Sequence, residues 1–274
     1  EAGNRDFLFQ IARGEWFIVL GDDDRLYSHA LSTLAKAISQ FPGAEIYTFG
    51  YTIIDEYGRL RYSRHAPKPV RISIKEQRLV HEIIVSQCFP FWIYHPATFC
   101  SNSDIHKKIK SNQDVGIGDD FMFMIDFINN GGVMQIVPAV LMYYRKAVSD
   151  QIHSQLNLSY GELPQLIARA KIMQQLLYRT DLHSSIASFV RSRECRQRLL
   201  YDAIMWSKMS IEIILENLNL PSKIEREFLL YAKRRPRILY RKFLLLQRAL
   251  FFFKLFGFAG IQEMGKVMLS RVLK

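Results

Sequence analysis

Cysteine is scarce. Three thiols (Cys88, Cys100 and Cys195) occur in 274 residues, far apart and without a CxxC pair. An odd number at such spacing excludes a disulfide scaffold and suits buried or incidental thiols in a reducing compartment. Long apolar runs are also lacking. A membrane span needs about 20 consecutive apolar residues. The longest uncharged stretch, from Ile83 to Ser103, is broken by Pro90, His95 and Pro96, and the more apolar Phe243 to Ile261 holds Arg248 and Lys254. No repeat, low-complexity tract or signal peptide is visible. The first residue is Glu1, not Met, and the first segment already has the pattern of the middle of a fold, so the expectation is a chain without its natural N-terminus.

What is there is ordinary globular composition: 49% hydrophobic, 13% aromatic and 23% charged residues. Disorder and collagen-like repetition are excluded. The formal net charge of +11 is unevenly placed. Residues 1–154 hold 16 Lys/Arg against 17 Asp/Glu, and residues 155–274 hold 21 against 9. The second part alone is basic and is expected to meet something anionic.

Pattern along the chain divides at the same place. Glu15 to Leu20 is a short apolar run that reads as a buried, parallel strand, and it stops at Gly21-Asp22-Asp23-Asp24. Ser28 is positioned to cap a helix in which Leu31, Leu34, Ala35 and Ile38 follow helical spacing. Glu45 to Ile54 is a second strand, and Asp55-Glu56-Tyr57-Gly58 turns it into a third, Arg59 to Ser63. After a basic loop over 64–71, a helix is expected over 73–87, an extended segment from Trp92 to Cys100, and a short helix over 103–110. Asp119-Asp120 opens a helix with Phe121, Met124, Ile125 and Ile128 on one face; Gly131-Gly132 stops it, and Val133 to Tyr144 is a strand ending at Arg145. This is an α/β sheet with flanking helices. From about 155 onward only helical periodicity remains, with helices expected near 161–179, 183–206, 208–217, 221–234, 237–256 and 261–273.

Two acidic groups could carry chemistry. Asp22, Asp23 and Asp24 stand at the carboxyl end of a strand, where α/β sheets bind ligands. Neighbouring carboxylates repel one another, and Mg²⁺ or Mn²⁺ takes one or two of them together with phosphate oxygens. A solvated acidic turn is the competing reading. Asp119 and Asp120 either cap their helix, stabilising its dipole, or supply a general base aimed at an acceptor hydroxyl.

Order and spacing then narrow the choice. Ile11 to Asp24, with its Ala12-Arg13-Gly14 and Leu20-Gly21-Asp22-Asp23-Asp24, resembles the strand and acidic motif of the inverting GT-A glycosyltransferases of family 2. Ala44 to Gly58, Gly118-Asp119-Asp120, and Gly131 through Tyr144-Arg145 resemble three further segments of that family in the same order, so the likeness covers roughly residues 5–150. The resemblance implies a GT-A (nucleotide-diphospho-sugar transferase) type sheet, incomplete at the N-terminus, over 1–154, followed by an α-helical region over 155–274. It implies Mn²⁺ or Mg²⁺ on Asp22, Asp23 and Asp24, with Asp23 the foremost ligand and Gly21 replacing the family's frequent first Asp. It implies Asp120 as catalytic base, with Asp119 replacing the family's Glu. Arg145 falls where the family has an Arg and would pair with phosphate or stand as a surface Arg; His153 beyond it would reach the diphosphate or lie in a solvated loop.

The implied reaction moves a sugar from a nucleotide-diphosphate donor to the hydroxyl of a glycan or lipid-linked acceptor with inversion, in cell-envelope or capsular polysaccharide synthesis. In the basic part, Arg237, Arg241 and Arg248 lie within about 40° on a helical wheel, beside Leu244 to Leu246 and Phe251 to Phe253. Such a helix suits an anionic membrane surface better than nucleic acid, which implies a cytoplasmic protein, peripheral at the inner face of the membrane. The other reading is a catalytically incomplete remnant carrying a basic helical module that binds membrane or nucleic acid.

Overall fold

The computed structural model describes residues 2–86, 99–109, 119–145, 172, 175–192 and 195. In chain order these form α1 (Ala2–Ile11), β1 (Trp16–Ile18), β2 (Arg25–Leu26), α2 (Ala30–Gln40), β3 (Ile46–Ile54), β4 (Leu60–Arg64), β5 (Val70–Ile72), α3 (Gln77–Ser86), β6 (Phe99–Asn102), α4 (Ser103–Lys108), α5 (Asp119–Asn129), β7 (Met134–Arg145) and α6 (Ser184–Arg191). The seven strands make one sheet in the order β1-β6-β3-β7-β2, with β4 added to β3 and β5 to β7.

The centre of the sheet is β3 beside β7, its one parallel pair among the described strands. All nine residues of β3 are buried. A strand hidden on both faces has no use for polar alternation, which is why its sequence, IYTFGYTII, reads as continuous apolar and aromatic residues. One face carries Tyr47 and Phe49 into a cluster with Ala30, Leu34 and Ala37 of α2 and Val137 and Leu141 of β7. The other face sends Ile46, with Met134 and Ile136 of β7, into a cluster with α3 and α5. The result is a mixed sheet between helices.

Four expectations from the sequence need correction. The run before the acidic turn is not a parallel inner strand. Among the described strands β1 pairs with β6 alone, antiparallel, at one end of the sheet order. Phe17 is buried but Trp16 and Ile18 are only partly covered, so the apolar character of the run reflects the helix and ring contacts beside it and not two buried faces. Ser28 does not cap α2; the cap position is His29, without a side-chain bond, and Ser32 Oγ instead donates to the His29 carbonyl at 2.9 Å. The basic loop over 64–71 contains the start of β5, which joins the edge of β7. Finally, the helix expected over 183–206 is interrupted, because Ser192 takes an extended conformation and ends α6.

Residues beyond 154 share the main core. Ile172, Leu176, Leu182, Ile186, Ala187, Val190 and Cys195 are buried in the same cluster as α3 and α5. Arg179 fastens this segment from the rim: it pairs with Asp126 of α5 and with Asp181 at 2.6 Å. Asn129 adds two bonds, donating to the Asp181 carbonyl at 3.1 Å and accepting from the His183 N–H at 2.6 Å. The helices expected over 208–217, 221–234, 237–256 and 261–273, with Arg237, Arg241 and Arg248, lie outside the described residues.

Candidate active site

The acidic turn is built by a short reversal between β1 and β2. The Asp24 N–H donates to the Gly21 carbonyl at 3.2 Å, closing the turn over Asp22 and Asp23. β2 then pairs antiparallel with the far end of β7, Arg25 opposite Tyr143 and Leu26 opposite Met142. Two residues of strand are thus enough to hold three consecutive carboxylates at the carboxyl end of the central parallel pair. That is where ligands of open α/β sheets bind.

Within the turn the three carboxylates differ. Asp22 is exposed, whereas Asp23 and Asp24 are half-buried. A Cβ placed on Gly21 would lie 2.9 Å from Asp24 Oδ2 and 3.1 Å from Asp23 Oδ1. Both carboxylates therefore reach toward one small space above the Gly21 backbone, a space that exists because residue 21 has no side chain. Asp24 Oδ1 faces the other way and accepts the Arg145 backbone N–H at 2.9 Å. The Asp24 carboxyl is pushed up to about 6. Burial is the main cause, with further repulsion from Asp23 and then Asp22, against the lowering effect of the Arg145 N–H and charge.

Arg145, the last residue of β7, joins this turn to the β3–β4 hairpin. Its Nε donates to the Asp23 carbonyl at 3.1 Å, and its Nη1 donates to the carbonyls of Asp55 and Glu56 at 3.2 and 2.8 Å. The guanidinium thus acts as a clamp between two loops. The hairpin is braced from its own side as well. Asp55 Oδ1 accepts the N–H groups of Tyr57 and Arg59 at 3.0 and 2.9 Å, while Oδ2 pairs with Arg59 Nε at 2.8 Å and Arg61 Nη2 at 3.0 Å. Although burial works against ionisation of Asp55, the Arg59 bonds and charge and the Tyr57 N–H outweigh it and hold the carboxyl below its ordinary value.

Beside the clamp, Tyr144 has its hydroxyl pushed up, first by burial and then by the charges of Asp24 and Asp23. Its ring meets Tyr51 edge-on at 5.6 Å. Arg64 donates to the Tyr62 hydroxyl at 2.8 Å and to the Tyr51 hydroxyl at 3.4 Å. None of these tyrosines was marked by the sequence as belonging to the site. Their signal is only that β3 and β7 end together, which places residues 51 and 144 near one another.

The structure therefore brings Asp23, Asp24 and Arg145 together. Asp119 and Asp120 stand on a different element, the first turn of α5. Residues 130–133 turn the chain from α5 directly into β7. Asp119 is buried and Asp120 half-buried. His153 lies outside the described residues.

Among the described residues no group of three or more His, Cys, Asp or Glu side chains is gathered as a closed metal cage. The Gly21 cradle offers a different arrangement: two carboxylates whose oxygens face one point above the glycine backbone. A Mg²⁺ or Mn²⁺ ion that keeps phosphate oxygens as its remaining ligands needs no more from the protein, so the residues present fit such an ion.

No protein-family model matches the chain. No curated protein matches it either. Among solved structures it is similar to S. aureus TarS. The TarS 1–349 structure in complex with UDP has 13% identity and a TM-score of 0.49 over 81% of this chain and 61% of that one. The TarS 1–349 structure in complex with UDP-GlcNAc has 12% identity and a TM-score of 0.47 over 98% and 72%. A longer TarS chain has 13% identity and a TM-score of 0.48, and this chain spans 37% of it. Among the described residues, no helix is long and apolar enough to cross a membrane.

Proposed function

We propose that this chain is an inverting, GT-A type glycosyltransferase of family 2 that transfers a sugar from a nucleotide-diphosphate donor to an acceptor hydroxyl. The observation that carries this reading is the convergence of Asp23 and Asp24 over Gly21, held at the carboxyl end of the central strands by the Arg145 clamp. Asp23 Oδ1 and Asp24 Oδ2 would hold Mg²⁺ or Mn²⁺; Asp22, at the exposed tip, adds charge. Such an ion, when bound, neutralises charge on the diphosphate leaving group.

The chain's own groups do the rest. Asp120, at the start of α5, accepts the proton of the acceptor hydroxyl, and its place in the first turn favours the ionised base. The acceptor oxygen attacks the anomeric carbon from the side opposite the diphosphate. The bond from that carbon to the diphosphate oxygen breaks, the nucleoside diphosphate leaves with the electron pair, and configuration inverts. Arg145 fixes the backbone of both loops around the donor and lends positive charge beside it. A peripheral position on an anionic membrane, through the basic residues after 154, would bring the enzyme to a lipid-linked or surface glycan.

Asp23→Ala and Asp120→Asn separate the two roles. UDP is a suitable first nucleotide. With Mn²⁺ present, Asp23→Ala is expected to lose UDP binding in calorimetric titration, whereas Asp120→Asn binds UDP as before and loses sugar turnover by roughly a hundredfold or more. Undiminished turnover in both variants removes the assignment.

A further inference from the structure

The β3–β4 hairpin presents large apolar and cationic side chains to solvent, beyond what bracing its turn requires. Tyr57 and Leu60 are exposed to 74% and 67%, although both carry large apolar surfaces. The Arg59 guanidinium lies 4.9 Å from the centre of the Tyr57 ring, which supports the ring from one side. Arg59 and Arg61 share the single carboxylate of Asp55 and keep 66% and 56% of their side-chain surface in solvent. Between residues 57 and 75 six cationic side chains occur and no carboxylate. Tyr and Arg set side by side on a fixed backbone are the residue types that dominate binding surfaces.

The backbone beneath them is fixed on two sides. Asp55 receives the N–H groups of the turn, and Arg145 holds the carbonyls of Asp55 and Glu56 to the acidic turn. A ligand lying on the hairpin is therefore registered against Asp23 and Asp24 through one side chain. Little ordering entropy is lost when such a surface binds, because the loop is already in place.

We propose that this hairpin is the docking surface for the acceptor, and that the acceptor is a carboxylate-bearing glycan. The proposal rests on the glycosyl-transfer reading above. Tyr57 supplies a ring face for the C–H face of a sugar, with its hydroxyl free to turn toward sugar hydroxyls. Arg59 and Arg61 supply planar forks for acidic groups. Each guanidinium meets the Asp55 carboxylate through one nitrogen, Arg59 Nε at 2.8 Å and Arg61 Nη2 at 3.0 Å, so both keep the capacity to take a second carboxylate from solvent.

The test uses the full chain, titrated with polygalacturonate, neutral dextran, phosphomannan and single-stranded DNA at low and high salt. The residues after 154 attract any polyanion, so the hairpin variants decide. The expected result is that polygalacturonate binds most tightly, and that Tyr57→Ala and Arg61→Ala each weaken it roughly tenfold. Tyr57→Phe keeps most of the affinity because the ring remains, and Lys36→Glu, an exposed change on α2, leaves it unaltered. Thermal melts establish that each variant is folded; Tyr57 and Leu60 are exposed, and Leu60→Ala provides a second probe of the same surface. Equal binding of dextran, tighter binding of phosphomannan or DNA than of polygalacturonate, or unchanged affinity in all three alanine variants overturns the proposal. UDP titration with Mn²⁺ on the same preparation separates the two readings. UDP binding with silent hairpin variants removes only the acceptor surface. Hairpin-dependent binding of polygalacturonate without UDP binding removes the transfer reading and leaves a glycan-binding face.

Discussion

Residue 21 shows how a missing side chain can shape a site. In the resembled family an acidic residue often stands there, but here a Cβ would press on Asp24 Oδ2 at 2.9 Å while the other oxygen of that carboxylate is tied to the Arg145 N–H. Gly21→Ala is therefore expected to rotate Asp24 away and weaken Mn²⁺-dependent UDP binding by roughly tenfold or more, with a smaller effect on the melting temperature. Calorimetry and thermal melts on one preparation check both. Asp55 makes the second prediction at this scale. Its carboxyl titrates below its ordinary value in the fold, so its contribution to stability is present above the unfolded value of 3.8 and is lost as pH falls through the lower folded value. Melting temperature should drop as pH is lowered through this range, and Asp55→Asn, which never carries the charge, should show a shallower drop. Equal slopes for the two proteins would remove the assignment.

Among the elements, β3 carries the tightest constraint. A Cβ on Gly50 would lie 2.2 Å from the Arg64 carbonyl oxygen and 2.5 Å from His65 Cβ, because the chain leaving β4 crosses directly over the strand. The register between β3 and β7 slips on both sides of the same residue. Backbone cannot yield as a side-chain tip can, so Gly50→Ala is expected to cost about 3 kcal/mol, measured by urea unfolding. Elements of this kind were legible in the sequence: α2, β3, α5 and β7 each have a long apolar face or run whose period declares its type. β2 and β5 were not. They contain two and three residues and exist because the edge of β7 offers them partners, a cause that leaves no local period. The antiparallel pairing of β1 was hidden for a related reason, since a short apolar run looks the same at the edge of a sheet as in its middle. The site divides likewise. Asp23, Asp24 and Arg145 could be grouped by their order along the chain, but the clamp could not, because Arg145 binds three carbonyls that any residue would supply.

For the whole molecule, charge and packing mark different boundaries. The near-neutral part ends by residue 154, and the proposed chemistry lies within it. Yet the core beneath α5 is completed by Leu176, Leu182, Ile186 and Val190, and its rim by Arg179. A chain cut after residue 154 would leave Ile125, Ile128 and their neighbours facing water. Four aliphatic side chains removed from a core amount to about 6–12 kcal/mol of lost burial, comparable with the whole stability of a domain. Such a fragment is expected to aggregate or to bind an apolar dye, while limited proteolysis of the full chain should leave a stable piece that extends past 195. A soluble fragment ending at 154 with a sharp thermal transition would contradict this. The consequence reaches recombination. A chimaera joined where the charge changes would inherit one half of a close-packed interior from each parent, and surfaces with separate histories would have to interlock. The better seam for an exchange is the turn between β3 and β4, residues 55–59, which is tied to the acidic turn by the Arg145 bonds to Asp55 and Glu56 and can be replaced without cutting into β3.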